Sequence, residues 1–251
     1  AAAAATLNQL SGGRALVNLV AGGSMVLRPM AIPRDAPLTV MRETIDILQR
    51  LWTGEPVSYE GKRYRLAAAQ TTMGPQKIPI WLSVRGPKLL NLAGQRADGV
   101  VMMAKSDLDP AIKIMEQGSA KTGNQPKRIY LDGIAYSPEM LAAAGQMFTY
   151  AVMDAPARML HGMGLTGPQI ETIRAAFRSH GPAEAAKFIT PEMVKNYVIA
   201  GTPDECSTIL QAMITRHKLD IFLLDITSSG LEANTKLMRT VAEIIHNAKT
   251  G

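Results

Sequence analysis

Val84-Arg85-Gly86-Pro87-Lys88 brings two cations, a glycine and a proline together where an apolar run gives way to a helical pattern. Backbone N–H groups at a helix N-terminus lack intrahelical partners and carry partial positive charge, so such a turn suits a phosphate. Gly86 would let the anion approach the backbone closely, and Arg85 and Lys88 would add charge-assisted hydrogen bonds. An ordinary strand-to-helix loop with two solvated cations has the same composition, so the turn alone does not decide. The pair Gly22-Gly23 follows another apolar run, and it asks for either a turn with positive φ or a flat ligand against the backbone. Thr227-Ser228-Ser229-Gly230, just before the last helical pattern, is a further phosphate-cradle candidate of the kind barrels build from their final loops.

Other chemistry-bearing residues have plainer readings. None of His161, His180, His217 and His246 follows a strand, so all four are expected on helices or loops, with His161 the one weighed as a general acid entering a pocket. Cys206 is the only cysteine, which excludes an internal disulfide framework and a cysteine-built metal site, and it is expected as inert core. Asp204 and Glu205 read as caps: Thr202 as N-cap, Pro203 at the first helical position, Glu205 closing a capping box.

The elements that would position these residues alternate. Residues 78–84 form an apolar run whose Pro79 is tolerable only near a strand's start. Pro87 suits the first position of a helix whose Leu89, Leu90, Leu92 and Ala93 share one face. Asp98-Gly99 then resets the chain for a buried strand, completing a strand-helix-strand unit of the parallel type. Further strands are expected at residues 14–20, 129–136 and 220–226. Helices are expected at 1–10, 38–52, 110–120, 202 onward and about 231–247, with a Pro-punctuated loop at 25–37. Residues 57–66 alternate around Glu60-Gly61-Lys62 and read as an exposed hairpin outside the main sheet. Residues 140–200 read as an all-helical, methionine-rich excursion. Five strands alternating with helices imply a parallel sheet, either open or belonging to a (β/α)8 TIM barrel that lacks three units. A chain that opens on a helix with no initiating Met favours the latter, as one domain over residues 1–251.

Composition narrows the function. At 251 residues and 47% hydrophobic content the chain can bury a large core. A net charge of +6 without any Lys/Arg run, and only 5% aromatic residues, gives little support to a nucleic-acid surface but fits anionic small molecules. No apolar stretch reaches membrane-spanning length and no signal segment opens the chain, so cytoplasmic localisation is expected.

The segments TLNQLSGGR, AGGS, LRPMAIPRD, RETIDILQRLWTGEPVSYEGKRYRL, IPIWLSVRGPKLLNLAGQRADGVV and AGTPDEC resemble, in this order, the bacterial-luciferase-like superfamily of flavin- and deazaflavin-dependent oxidoreductases. Arg85-Gly86-Pro87 followed by Ala93-Gly94 and Ala97-Asp98-Gly99 is most similar to the branch containing methylenetetrahydromethanopterin reductase. The resemblance implies a luciferase-like TIM barrel whose fourth to eighth strands are the five read here. It implies that the turn after the fifth strand, Ser83 and Val84 through Arg85, Gly86, Lys88 and Leu89, holds a cofactor phosphate, with Gly22 and Gly23 near the ring system. The cofactor would be coenzyme F420 or FMN, the substrate a small molecule, and the assembly a homodimer. Asn18 and Val20 depart from the glycines usual in the deazaflavin branch and are closer to FMN-dependent monooxygenases. Catalytic residues are not assigned, because in this family the first three strands bring much of the ring pocket. The expected function is F420-dependent hydride transfer. The alternatives are an FMN monooxygenase and, in another class, a truncated barrel that binds a flavin or a partner without turnover.

Overall fold

Strands and helices alternate through most of the chain, so that apolar strands can be covered on both faces. This computed structural model describes residues 1–103, 105–226 and 230–250, whose contacts divide into two units, 1–101 with 113–127 and 102–112 with 128–251. The first unit runs through α1 (Ala2–Leu10), β1 (Val17–Val20), α2 (Ser24–Leu27), α3 (Pro37–Leu51), β2 (Val57–Glu60), β3 (Arg65–Ala69), β4 (Ile80–Ser83), α4 (Pro87–Arg96) and β5 (Gly99–Met102). β1 pairs with β4 and β4 with β5, both parallel, with Val20 opposite Ser83 and Ser83 opposite Val101. All four residues of β5 are buried, as a parallel strand with both faces covered requires.

Asp98 shows how the strand-helix-strand unit closes. Its N–H donates to the Ile80 carbonyl and its side chain accepts the Ile80 N–H, both at 2.8 Å, while its own carbonyl takes the Lys127 N–H at 2.9 Å. The antiparallel β2-β3 hairpin is held to α3 by a buried carboxylate that periodicity did not anticipate. Glu43 accepts the backbone N–H groups of Lys62, Arg63 and Tyr64 at 2.7 to 3.1 Å. Burial alone would raise its pKa, but these three donors hold it below the usual carboxylate value.

A 3₁₀ turn (Lys105–Asp107) leads into α5 (Leu108–Thr122), and the second unit continues with β6 (Lys127–Asp132), β7 (Ile134–Ala135), α6 (Pro138–Asp154), α7 (Ala157–Gly162), α8 (Gly167–His180), α9 (Pro182–Ala186), α10 (Pro191–Tyr197), β8 (Ile199–Ala200), α11 (Pro203–His217), β9 (Ile221–Leu224) and α12 (Leu231–Thr250). β6 is parallel to β9, and β7 is parallel to β8. The helices from α6 to α10 bury their own cluster around Phe148, Val152, Met159, Leu160 and Ile173.

Three expectations need correction. The strand expected at 129–136 is two strands, because at Gly133 the backbone turns out of the first ladder and Ile134 pairs with Ile199 instead. The all-helical stretch to residue 200 accordingly ends in a strand, Ile199–Ala200. The loop expected at 25–37 begins inside α2, where the Gly23 carbonyl accepts the N–H groups of both Val26 and Leu27. The capping box at Thr202 and Glu205 is as expected, and Thr166 and Gln169 form a second one that starts α8.

Candidate functional site

α4 begins directly after a strand of the first unit, so its N-terminus stands at the C-terminal end of β4, where α/β folds bind ligands. Gly86 is the N-cap in an extended conformation, φ −77° and ψ 146°, with no side-chain cap, and Pro87 follows at the first helical position. The first intrahelical bond runs from the Leu90 N–H to the Gly86 carbonyl at 2.9 Å. The N–H groups of Lys88 and Leu89 therefore stand in the part of the first turn where the helix offers no acceptor. The first turn carries no acidic residue, and Lys88 is exposed beside a half-buried Arg85. Apart from its own chain neighbours, no atom lies within 4 Å of where a Gly86 Cβ would point. Open space, orphan donors and cationic neighbours together fit a phosphate.

The other predicted positions are placed differently. Ser83, at the end of β4, is buried and forms a reciprocal pair with Asn18 of β1: the Asn18 amide donates to Ser83 Oγ at 2.9 Å, and the hydroxyl donates back to Asn18 Oδ1 at 3.1 Å. Asn18 thus has a side-chain partner of its own on the neighbouring strand. Val84 is buried, and its N–H donates to Val101 at 3.4 Å. Gly22 has φ +77°, and Leu27 Cδ1 lies 2.5 Å from where its Cβ would be. Its positive φ therefore favours glycine whether or not a ring lies near. Of the last-loop candidate, Thr227, Ser228 and Ser229 lie outside the described residues.

The four histidines are on helices, in α7, α8, α11 and α12. His161 Nδ1 is 2.8 Å from the Leu165 carbonyl, a local contact at a helix end. Cys206 is fully buried, and burial pushes its thiol up to about 11. A group that sequence reasoning missed lies at the end of β6. Asp132 is 7% exposed, accepts the Tyr130 hydroxyl on Oδ2 at 2.5 Å and accepts the Gly133 N–H on Oδ1 at 2.8 Å. Burial pushes its pKa up to about 7, against the Tyr130 bond, the backbone N–H groups of Gly133 and Ile199, and the Lys105 ammonium, all of which favour the ionised form. The available clue was a single carboxylate closing an apolar strand just before a glycine, at the end of the strand where (β/α) barrels keep their chemistry.

Comparison with known proteins gives the family and the fold. Residues 1–217 match the family model described as luciferase-like monooxygenase. The chain is 31% identical over 219 residues to the 5,10-methylenetetrahydromethanopterin reductase of Archaeoglobus fulgidus, covering 82% of this chain and 65% of that protein. It is 24% identical over 231 residues to the F420-dependent glucose-6-phosphate dehydrogenase of Kineococcus radiotolerans, covering 85% and 63%. The chain thus spans a little under two thirds of the length of these relatives. In structure it resembles the coenzyme F420 dependent tetrahydromethanopterin reductase of Methanopyrus kandleri, with a TM-score of 0.77 at 23% identity, over 88% of this chain and 70% of that one. The fold is accordingly that of the luciferase-like TIM barrels, and the 70% share agrees with five strands out of a barrel's eight.

Proposed function

We propose that this chain, which belongs to the luciferase-like monooxygenase family, carries the cofactor-phosphate site of an F420-dependent oxidoreductase acting on a small organic substrate. The observation that carries this reading is the uncapped N-terminus of α4, with its open Gly86 and the first-turn donors of Lys88 and Leu89. The F420-dependent dehydrogenase and the coenzyme F420 dependent reductase that this chain resembles support F420 as the cofactor, and their names as reductase and dehydrogenase support a redox reaction, here hydride transfer.

When bound, F420 supplies a two-electron hydride donor or acceptor for a C=N, C=C or carbinol carbon of the substrate. The chain's own part is binding and orientation. Lys88 and Leu89 N–H groups hold the phosphate, Arg85 and Lys88 neutralise its charge, and Gly86 leaves room for its oxygens. Gly22 and Gly23, on the loop after β1, are assigned to the ring side, and Ser83 and Val84 to the wall leading to the phosphate. A cytoplasmic homodimer with one barrel domain per chain fits this reading; a single buried thiol suits a reducing compartment, and among the described residues no helix is long and apolar enough to cross a membrane.

FMN-dependent monooxygenation is the second reading, favoured by Asn18 and Val20 on β1 in place of glycine. Spectroscopic titration of the purified protein with oxidised F420 and with FMN separates the two. Saturable micromolar binding of F420, with FMN weaker by about tenfold or more, is expected. The reverse order supports the monooxygenase, and binding of neither sinks both in favour of a non-catalytic barrel.

A further inference from the structure

The second unit contains a cavity that the phosphate cradle does not use. Its volume is about 190 Å³, and its walls are mainly apolar, including Leu131, Met140, Ala144, Met147 and Val198. An apolar cavity of about 150 Å³ accepts a benzene ring, so this one has room for a single ring or short alkyl body with one substituent. Three methionines in the wall, Met103, Met140 and Met147, let it adapt to shape. The polar side chains lining it are Asp132, Tyr197 and Asp225. Asp132 is nearly inaccessible, whereas Asp225 is exposed, so a carboxyl closes the inner end and a second one stands at the mouth.

We infer that this cavity is a binding site for a compact primary amine, an ammonium group on an apolar body of about seven carbons, with the ammonium held by the Asp132 carboxylate. The charges around the site carry the choice. A carboxylate has about four lone-pair sites, and Asp132, which lines the cavity, spends three of them on Tyr130, Gly133 and Ile199 and keeps capacity for about one more donor. Tyr130 is buried and neutral, its pKa raised by burial and by Asp132, and the Cys206 thiol is neutral as well. The cation nearby is Lys105, whose ammonium donates to the carbonyls of Lys195 at 2.6 Å and Val198 at 3.4 Å. Burial lowers the Lys105 pKa, and its bonds to the end of α10 fix it in place. The Lys105 ammonium acts on Asp132 but is committed to the carbonyls at the end of α10, so a ligand ammonium in the cavity would give the buried carboxylate a direct partner.

Benzylamine and its neutral isostere benzyl alcohol test this without any cofactor, by calorimetric titration of the purified protein at about pH 8, where the amine is cationic and Asp132 ionised. Benzylamine is expected to bind about tenfold more tightly or better. Asp132→Asn should bring the two ligands to within about twofold while leaving the alcohol unchanged, and Ala144→Leu, which fills the cavity, should weaken both by about tenfold. Should the Asn variant fail to fold, lowering the wild-type protein to about pH 5 neutralises the same carboxyl and must abolish the preference. Equal affinities at pH 8, absence of amine binding, or a preference that survives protonation or substitution of Asp132 would overturn the assignment.

Discussion

Tyr130 and Asp132 stand two residues apart on β6, so their side chains leave the strand on the same face, and the Tyr130 hydroxyl donates to Asp132 Oδ2 at 2.5 Å. This pair sets a pH dependence. A carboxyl whose pKa rises on folding, here to about 7, binds more protons folded than unfolded between about pH 4 and pH 7. Stability is therefore lost as pH rises through that window, and below it the cost is absent. Denaturant titrations of wild type and Asp132→Asn across the window should diverge by up to a few kcal/mol, with the wild type losing stability relative to the variant as pH increases. Parallel curves would contradict the raised pKa.

Gly94 of α4 carries a second prediction. A Cβ there would lie 2.0 Å from the Met115 carbonyl oxygen, and a Cβ on Gly118 would lie 2.1 Å from the Asn91 carbonyl oxygen. The two helices touch backbone to backbone at both points, and neither obstacle is a flexible side chain. Gly94→Ala should destabilise the protein by about 2 kcal/mol or more despite alanine's better helix propensity. A neutral or stabilising result by thermal denaturation would show that the helices separate freely.

Gly86 gives the opposite expectation for stability. Its φ is ordinary and its surroundings are open, so Gly86→Val should cost no more than about 1 kcal/mol of fold stability. The added side chain occupies the space assigned to the phosphate, so F420 affinity should fall about tenfold or more. Unchanged affinity would move the phosphate elsewhere.

Thr202 isolates a cap. Its hydroxyl accepts the Glu205 N–H, and the Glu205 side chain accepts the Thr202 N–H. Thr202→Ala should lower stability by about 1 kcal/mol without altering cofactor binding, as read from melting and titration of one preparation. A loss of binding with the fold intact would give this loop a role beyond capping.

What could be read from the sequence was what local rules determine. Pro87 after Gly86 marked the start of α4, Asp98-Gly99 marked the reset into β5, and Thr202 to Glu205 spelled out a capping box. The positions that escaped depend on partners far along the chain. Glu43 is buried only because the hairpin brings three N–H groups about twenty residues away to its carboxylate. The break at Gly133 follows from a strand partner at Ile199, and Asp132 is unusual because of what covers it. Neither period nor propensity carries such information. Gly22 shows a different limit: its backbone already favours glycine, so residue type alone could not reveal a ligand.

The most direct test of the account is a crystal structure of the protein grown with oxidised F420. The account predicts the phosphate at the N-terminus of α4, with its oxygens about 3 Å from the backbone nitrogens of Lys88 and Leu89. A cofactor bound with its phosphate away from that turn, leaving Gly86 solvent-filled, would contradict it.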